Sequence, residues 1–227
     1  MIDRVLEPEA MDTAEEAREY DLMDHTTVNA RFVTDVLEAM ARLGRPDLRR
    51  QFVIDVGAGT ARIPIEFCRV QPASRVVAVD LAREMLRVAR ENVVSAGLTA
   101  RVALQVARAT SLPFRDGCSP VVVSNSLIHH LPDPPRAFVE LARIVSSGGI
   151  LFVRDLFRPA SPAVIDQLVD TYAAGATTHQ RRLLAASLRA ALTLDEVREA
   201  IRGLSFAQVS LTATSDRHWT LAAVRAA

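Results

Sequence analysis

The most informative absence from this sequence is lysine, since all 27 basic residues are arginine. Without lysine the chain cannot form a Schiff base with a substrate carbonyl, and it lacks the phosphate-binding lysine of a P-loop. An excess charge of one sign is also missing, because 27 acidic residues balance the basic ones. We therefore expect neither nucleic acid nor an anionic membrane surface as a partner.

Cysteine and long apolar runs are scarce as well. The two cysteines, Cys68 and Cys118, lie far apart and match no metal-ligand spacing, so we expect inert thiols in a cytoplasmic protein. No run reaches the roughly 18 apolar residues that span a bilayer. Residues 1–4 include no apolar signal-peptide core, so we expect neither secretion nor membrane insertion.

From about residue 51 the sequence alternates short β-branched runs with helical stretches. This alternation is typical of βαβ units that build a parallel sheet. The runs are largely apolar on both faces, as strands covered by helices on both sides should be. The predicted strands cover residues 51–56, 75–80, 101–106, 121–125 and 149–155.

The flanks of this region follow other patterns. Residues 12–43 are predicted to be helical, with an apolar stripe, and residues 161–201 to form two or three helices. Residues 205–225 alternate as a hairpin does. Because 227 residues are few for two domains, we predict a single domain. The predicted fold is α/β, Rossmann-like and doubly wound, with a mostly parallel sheet and a C-terminal hairpin. Its predicted parts are an N-terminal helical cap (1–45), a ligand-binding core (50–155), a helical insertion (161–201) and the hairpin (205–225).

The first predicted strand ends in the sequence DVGAGTA, which carries the strongest functional signal. Gly57 and Gly59 allow a tight turn and a close approach of the backbone to a ligand. A dinucleotide site would need a third glycine where Arg62 stands. Asp55 is a poor neighbour for a pyrophosphate but suits a ligand that carries an ammonium group. Asp80 follows Gly59 by 21 residues, the spacing of an acid that binds ribose hydroxyls.

These residues resemble the class I S-adenosylmethionine-dependent methyltransferases, and three later motifs extend the resemblance to their type 11 group. The motifs are LPF at 112–114, SNSLIHHLP at 124–132 and the glycine pair at 148–149. The resemblance covers about residues 50–155 and implies S-adenosyl-L-methionine as the cofactor. It implies that one set of residues contacts the methionine part, the ribose and the adenine. That set is Asp55, Gly57, Gly59, Thr60, Asp80, Leu81, Arg108, Ala109, Ser124 and Asn125.

Two positions depart from the family pattern. Arg108 stands where the family usually has an aspartate that accepts a hydrogen bond from the adenine amino group. Arginine has only donors, so it would have to stack on the ring or turn outward. The second departure is Ser119-Pro120, where a Phe-Asp pair commonly opens the fourth strand. We expect that change to be structural, because it lies at the end of the sheet away from the ligand.

The acceptor side of the site is less well defined. The carboxyl ends of the strands place Ser124, Asn125, His129, Arg154 and Asp155 nearest the reacting methyl group. His129 is the candidate catalytic residue, although surface filling is as good an interpretation. Arg154 and Asp155 would clamp an acidic acceptor or be two solvated charges.

The sequence also offers candidate residues for a substrate lid and for a metal site. Lids on this fold usually come from the N-terminal segment and the insertion, which makes Tyr20, His25 and Tyr172 candidate substrate contacts. His129 and His130 raise the question of a metal. Adjacent side chains should diverge and no third ligand has suitable spacing, so we predict no metal.

The sequence is compatible with three functions. The first is a methyltransferase that acts on a small molecule. The second is a catalytically silent S-adenosylmethionine-binding protein, suggested by Arg108. The third, a nicotinamide oxidoreductase, is disfavoured by Arg62 and Asp55. The sequence does not decide the oligomeric state, or whether O, N, S or C is methylated.

Overall fold

The computed structural model describes residues 2–7, 12–44 and 52–227. Within them the chain forms seven strands and eight α-helices. The strands are β1 (Phe52–Val56), β2 (Arg75–Asp80), β3 (Val102–Val106), β4 (Ser119–Asn125), β5 (Val145–Leu156), β6 (Phe206–Ala213) and β7 (His218–Arg225). The helices are α1 (Ala14–Leu22), α2 (Thr26–Arg42), α3 (Arg62–Val70), α4 (Arg83–Ser95), α5 (Pro134–Ile144), α6 (Pro162–Tyr172), α7 (Thr178–Ala190) and α8 (Leu194–Ala200).

The seven strands form one sheet in the order β3-β2-β1-β4-β5-β7-β6. Strands β1 to β5 pair in parallel, whereas β7 runs antiparallel to both β5 and β6. The predicted doubly wound sheet and its C-terminal hairpin are therefore confirmed. Gln51, assigned to the first strand from the sequence, lies outside the described residues, as do residues 1 and 45 at the ends of the predicted cap.

Two apolar layers cover the sheet. On one face Phe32, Val36 and Met40 of α2 are buried with side chains of α3 and α4 against β1, β2 and β4. On the other face α5 and α8 pack against the sheet, and Trp219 of β7 is fully buried there. Burial of apolar side chains on both faces explains why the parallel strands read as continuous apolar runs. Among the described residues, no helix combines the length and apolar character that crossing a membrane requires.

The N-terminal helical region departs from its prediction in one respect. A single helix over 12–43 is wrong, because the chain breaks between α1 and α2. The side chain of Asp24 accepts a hydrogen bond from the backbone N–H of Thr26, a local contact that favours a turn over a continued helix. The break lets α1 turn toward α4 while α2 stays on the sheet, which places Tyr20 and His25 over the carboxyl ends of the strands.

Candidate cofactor and acceptor site

The glycine turn after β1 is held to the neighbouring strand. The backbone N–H groups of Gly57 and Ala58 both donate to the carbonyl oxygen of Val79, at 2.8 and 2.9 Å. Gly57 has a φ of +79° and Gly59 a φ of +53°, values that favour glycine. The turn leads directly into α3, so the N-terminal end of that helix faces the space above the turn.

Asp55 lies at the carboxyl end of β1 and is 1% exposed. Neither of its carboxylate oxygens has a hydrogen-bond partner among the described residues. Burial, with a smaller contribution from the nearby Asp80 carboxylate, raises the pKa of Asp55 to about 8. A buried carboxylate with no donor is costly, and a ligand ammonium group would satisfy it. The hydroxyl of Thr60 is buried in the same cleft and adjoins Asp21.

Asp80 ends β2 and ties the glycine turn to the next loop. Its Oδ2 accepts from the N–H of Gly59 at 2.8 Å, and its Oδ1 accepts from the N–H of Ala82 at 2.9 Å. Burial raises the pKa of Asp80, and the backbone donors oppose that shift. Each carboxylate oxygen can accept more than one hydrogen bond, so both can still receive ligand hydroxyls. Leu81 follows directly and is half-buried.

Helix α1 closes this cleft from above. A Cβ placed on Gly59 would lie 3.6 Å from Cε1 of Tyr20, so the tyrosine ring covers the turn. His25 lies next to it, with ring centroids 5.4 Å apart. The cavity in the cleft has a volume of about 30 Å³ and is partly open to solvent. Its lining includes Tyr20, Met23, His25, Asn29, Thr60 and Asn125.

One carboxylate fastens α1 in place. Asp21 accepts two hydrogen bonds from the Arg62 guanidinium, at 2.9 and 2.7 Å. It also accepts one from the side-chain amide of Asn92 at 2.9 Å. In the sequence, Arg62 was notable only because it stands where a dinucleotide site needs a glycine. In the structure, it holds α1, the helix that covers the cleft. Periodicity gives no sign of this contact, because the two residues are 41 positions apart.

We predict that Asp21→Asn loosens α1 without unfolding the protein. The change removes a bidentate charge-assisted pair, so backbone amides of α1 should exchange hydrogen about tenfold faster. Hydrogen exchange followed by mass spectrometry measures this, with Asp166→Asn on α6 as the matched control. Unchanged exchange in α1 would show that the pair with Arg62 does not hold the helix.

The remaining predicted cofactor contacts do not all line the cleft. Asn125 lines the cleft. The Ser124 hydroxyl instead donates to the Val56 carbonyl at 2.8 Å and is buried, so this side chain braces the sheet rather than facing the cleft. Ala109 is buried in the apolar layer that contains α5. Arg108 is exposed, and its carbonyl oxygen accepts from Ser111 in a tight turn.

Arg154 and Asp155 are neither a clamp nor a solvated pair, so both expectations are wrong. Alternation along β5 sends the two side chains to opposite faces of the sheet. Arg154 donates to Asp35 of α2 at 2.7 Å and to the Thr220 hydroxyl at 3.0 Å. Asp155 is completely buried on the other face, where it meets His129.

The two adjacent histidines also differ from expectation. His129 is 3% exposed and lies outside the cleft lining, so it neither lines the acceptor site nor fills the surface. The expectation that the imidazoles diverge is wrong, since their centroids are 4.0 Å apart. Both face Glu7 of the N-terminal segment, a residue for which the sequence gave no signal.

Tyr172 is placed away from the cleft. Its hydroxyl donates to Asp216 at 2.7 Å and its ring lies under the Arg217 guanidinium, so it braces the β6–β7 turn. A second pocket of about 510 Å³ instead lies between α1 and the start of α7. Its lining is Glu19, Leu22, Met23, Thr177, His179 and Gln180. Met23 lines both the cleft and this pocket.

Comparisons with known proteins find methyltransferases. Residues 54–153 match the family model described as a methyltransferase domain. The chain is 35% identical over 141 residues to the malonyl-[acyl-carrier protein] O-methyltransferase of Geobacter sulfurreducens, covering 62% of this chain and 49% of that protein. It is 28% identical over 115 residues to the ubiquinone/menaquinone biosynthesis C-methyltransferase UbiE of Geobacter sp. strain M21, covering 50% of this chain and 49% of that one. The chain thus spans about half the length of these curated relatives.

Solved structures share the fold at low sequence identity. A SAM-dependent methyltransferase from Aquifex aeolicus superposes with a TM-score of 0.65 at 18% identity, covering 93% of this chain and 98% of that one. Phosphoethanolamine N-methyltransferase 2 of Haemonchus contortus gives 0.66 at 17% identity, covering 86% and 53%.

The sheet order, the glycine turn and the two acids define a class I S-adenosylmethionine-dependent methyltransferase fold. The match of residues 54–153 to a methyltransferase domain, together with the methyltransferase relatives and structural neighbours, supports the class I resemblance predicted from the motifs. S-adenosyl-L-methionine is accordingly its cofactor. The residues present fit that molecule, because the buried carboxylate of Asp55 lacks the cationic partner that the cofactor's amino group supplies.

We predict that Asp80→Ala weakens the binding of S-adenosylmethionine at least about tenfold. The variant loses the acceptor for ribose hydroxyls, and charge-assisted bonds are worth roughly 1.5–3 kcal/mol each. It also releases the N–H of Gly59. Calorimetric titration measures the change, and Asp116→Ala, an exposed acid distant from the turn, serves as control. An Asp80→Ala protein that folds and binds normally would exclude this residue from the site.

Proposed function

We propose that the protein transfers the methyl group of S-adenosylmethionine to a small-molecule acceptor. The observation that carries the proposal is the buried, unpartnered carboxylate of Asp55 beside the glycine turn. The bound cofactor supplies a methyl group already activated by its sulfonium charge. The protein's task is therefore to align the acceptor and exclude water, which needs no nucleophilic residue.

In this proposal different residues of the cleft bind different parts of the cofactor. Asp55 holds the amino group, Asp80 holds the ribose hydroxyls, and Leu81 lies against the adenine. Tyr20 on α1 covers the turn and keeps water out. The pair between Asp21 and Arg62 supports this role, because it keeps the covering helix close to the turn.

The second pocket is the proposed entrance for the acceptor. Its volume of about 510 Å³ is within the usual range for small-molecule sites. Leu22 and Met23 supply apolar surface, while His179 and Gln180 supply polar groups. Because Met23 lines both spaces, an acceptor bound in the pocket would extend past this residue toward the cofactor. The named relatives carry out O- and C-methyl transfer, so an oxygen or carbon acceptor is proposed.

His25 is the proposed proton acceptor of the reaction. Its Nε2 is buried without a hydrogen-bond partner among the described residues. Burial lowers the pKa of His25, so the ring is neutral near pH 7 and can take a proton from an acceptor hydroxyl. His25 replaces His129 in this role, because His129 is buried outside the cleft.

Two measurements test the proposed function. Calorimetric titrations with S-adenosylmethionine, S-adenosylhomocysteine and NAD⁺ should give binding of the first two alone. Incubation with methyl-labelled S-adenosylmethionine and fractionated metabolites should then transfer label to a small molecule. Binding without transfer to any fraction would favour a silent cofactor-binding protein. Binding of NAD⁺ alone would favour an oxidoreductase, and either result rejects the proposal.

We predict that His25→Gln lowers kcat about a hundredfold for an acceptor that must lose a proton. The Kd for S-adenosylmethionine should change much less than kcat, since Asp55 and Asp80, not His25, are the proposed ligands of its amino group and ribose. The pH dependence of kcat at low pH should also disappear. His218→Gln on β7 is the control histidine. A His25→Gln enzyme that retains full kcat and the same pH profile would remove the residue from proton transfer.

A further inference from the structure

A cluster of three metal-ligating side chains lies outside the cofactor cleft, beneath the short 3₁₀ helix Ile128–His130. Glu7 reaches it from the N-terminal segment, and His129 and His130 reach it from the 3₁₀ helix. One donor atom from each residue lies within 4.8 Å of the other two. Oε1 of Glu7 is 3.4 Å from Nε2 of His129 and 3.1 Å from Nδ1 of His130.

These spacings match those around a small tetrahedral ion. Zinc binds imidazole nitrogen and carboxylate oxygen at about 2.0–2.2 Å, so two ligand atoms of one tetrahedron lie roughly 3.3 Å apart. Two of the three separations between ligand atoms in the cluster lie on either side of this value, and the third is below 4.8 Å. Two imidazoles with one carboxylate also form a common ligand set for zinc, with a fourth position left for water.

Hydrogen bonding inside the cluster is incomplete. Oε1 of Glu7 and Nδ1 of His130 are buried, and neither has a hydrogen-bond partner among the described residues although they are 3.1 Å apart. The side chain of Glu7 is 91% buried, since 9% of it is exposed. Buried polar atoms are normally satisfied, so this pair requires either a proton on Nδ1 of His130 or a cation between the two atoms.

A second carboxylate orients one of the histidines. Nδ1 of His129 lies 2.5 Å from Oδ1 of Asp155, which leaves Nε2 directed toward Glu7. Asp155 is itself fixed by the backbone N–H groups of Ile128 and Leu156, at 2.5 and 2.6 Å. A carboxylate that holds the non-ligating nitrogen of a histidine is the usual second layer of a zinc site.

The charge around the cluster also suits a divalent cation. Glu7 and Asp155 bring two negative charges, and the nearby Arg4 brings one positive charge. The Arg4 guanidinium is already engaged by the carbonyl oxygens of His129, Leu131 and Ala190. It therefore stabilises the segment without filling the space between the three ligands.

We propose that Glu7, His129 and His130 form a binding site for Zn²⁺, with Asp155 as the residue that orients His129. The metal joins residues 2–7 to the loop that follows β4. That loop begins beside Asn125 of the cofactor cleft and places Leu127 against Gly57. The site thus fastens the N-terminal segment to the floor of the cleft, and it does not depend on which acceptor the enzyme uses.

The test uses the full chain after dialysis against a chelator. Calorimetric titration with ZnCl₂ should give one ion per chain with a Kd on the order of micromolar or lower, and MgCl₂ should not bind, because imidazole ligands disfavour it. Glu7→Gln and His130→Asn should each weaken Zn²⁺ binding at least about tenfold, since loss even of an orienting residue commonly costs that much. His179→Asn, an exposed histidine of α7, should bind as the wild type does.

Two controls separate the metal from folding and from surface binding. Thermal melts without metal establish that each variant is folded, and added ZnCl₂ should raise the Tm of the wild type and of His179→Asn alone. Zinc X-ray absorption of the wild-type complex should report two imidazole nitrogens. Weak wild-type binding, equal binding by the Glu7 and His130 variants, or a coordination sphere without imidazole would each overturn the proposal. Any of these results would mean that protons, and not a metal ion, join Glu7 to the two histidines.

Discussion

Asp55→Asn should abolish cofactor binding and at the same time stabilise the protein without its cofactor. The carboxyl group is buried with no donor among the described residues, so the protein without cofactor must either protonate it or, above about pH 8, bear an unsatisfied charge until the cofactor's amino group binds. The amide keeps the shape but removes the charge. We expect at least a hundredfold loss in affinity for S-adenosylmethionine, because breaking a buried charge pair costs about 3–5 kcal/mol.

The stability effect has a defined pH dependence. The pKa of Asp55 rises from an ordinary value near 4 in the unfolded chain to about 8 in the folded protein. The folded state therefore holds a proton that the unfolded state releases, and the wild type loses stability as pH rises between these values. The Tm advantage of Asp55→Asn should be small near pH 4, grow to about 5 °C or more at pH 8, and stay constant above that.

Melts across this pH range, with and without S-adenosylmethionine, measure both effects in one series. Asp116→Asn replaces an exposed acid and should show neither. The affinity of the wild type should also increase between pH 6 and pH 8, since binding requires Asp55 to lose its proton. An Asp55→Asn protein that binds normally, or that is less stable at pH 8, would contradict the assignment of the cofactor's amino group.

Gly57→Val is expected to have the largest effect on both stability and binding. A Cβ at this position would lie 2.8 Å from Cβ of Leu127 and 2.9 Å from its Cδ2. The φ of +79° is also one that a β-branched residue rarely adopts. Strain and overpacking together cost about 3 kcal/mol or more, which corresponds to a Tm lower by roughly 6–12 °C. Binding of S-adenosylmethionine should become undetectable.

A matched glycine separates the two causes. Gly97 ends α4 with a φ of +67° and has open space around it, so Gly97→Val bears the backbone strain without the clash. Its Tm should fall by less than half as much, with cofactor binding intact. Combining Gly57→Ala with Leu127→Gly, which removes the nearest Cβ as well as the methyl groups, should recover part of the binding lost in Gly57→Ala alone. If the Gly57 and Gly97 variants lose equal stability, the contact with Leu127 is not the cause.

The parts of the site that could be predicted are those that local sequence determines. Asp55 and Asp80 lie at the carboxyl ends of adjacent parallel strands, and the glycines between them form a tight turn. Residue types and their spacing in one short stretch of sequence were therefore sufficient to predict this part of the site. The capping box at Thr193 and Glu196 likewise forms within one turn of helix. The alternation of strands and helices predicted the sheet, because the central strands β1, β4 and β5 are largely buried on both faces.

The parts that were missed depend on contacts between distant segments. Asp35 lies 119 residues from Arg154, and Glu7 lies more than 120 residues from the histidines it faces. No periodicity links such pairs, so Arg154 and Asp155 looked like solvated charges and His129 looked like a pocket residue. Strand alternation predicts the face of the sheet to which a side chain points. It does not predict which residue the side chain contacts there.

The position of the N-terminal segment has a consequence for how the chain folds during synthesis. Arg4 and Val5 bind the end of α7, so these contacts form only after about residue 190 has been synthesised. Strand β7 follows β6 in the chain yet lies between β5 and β6 in the sheet. High contact order of this kind slows folding and leaves the edge of β5 unpaired until β7 has been synthesised. A chaperone that shields this edge should raise the yield of folded protein more than one that binds the early β1–β2 region.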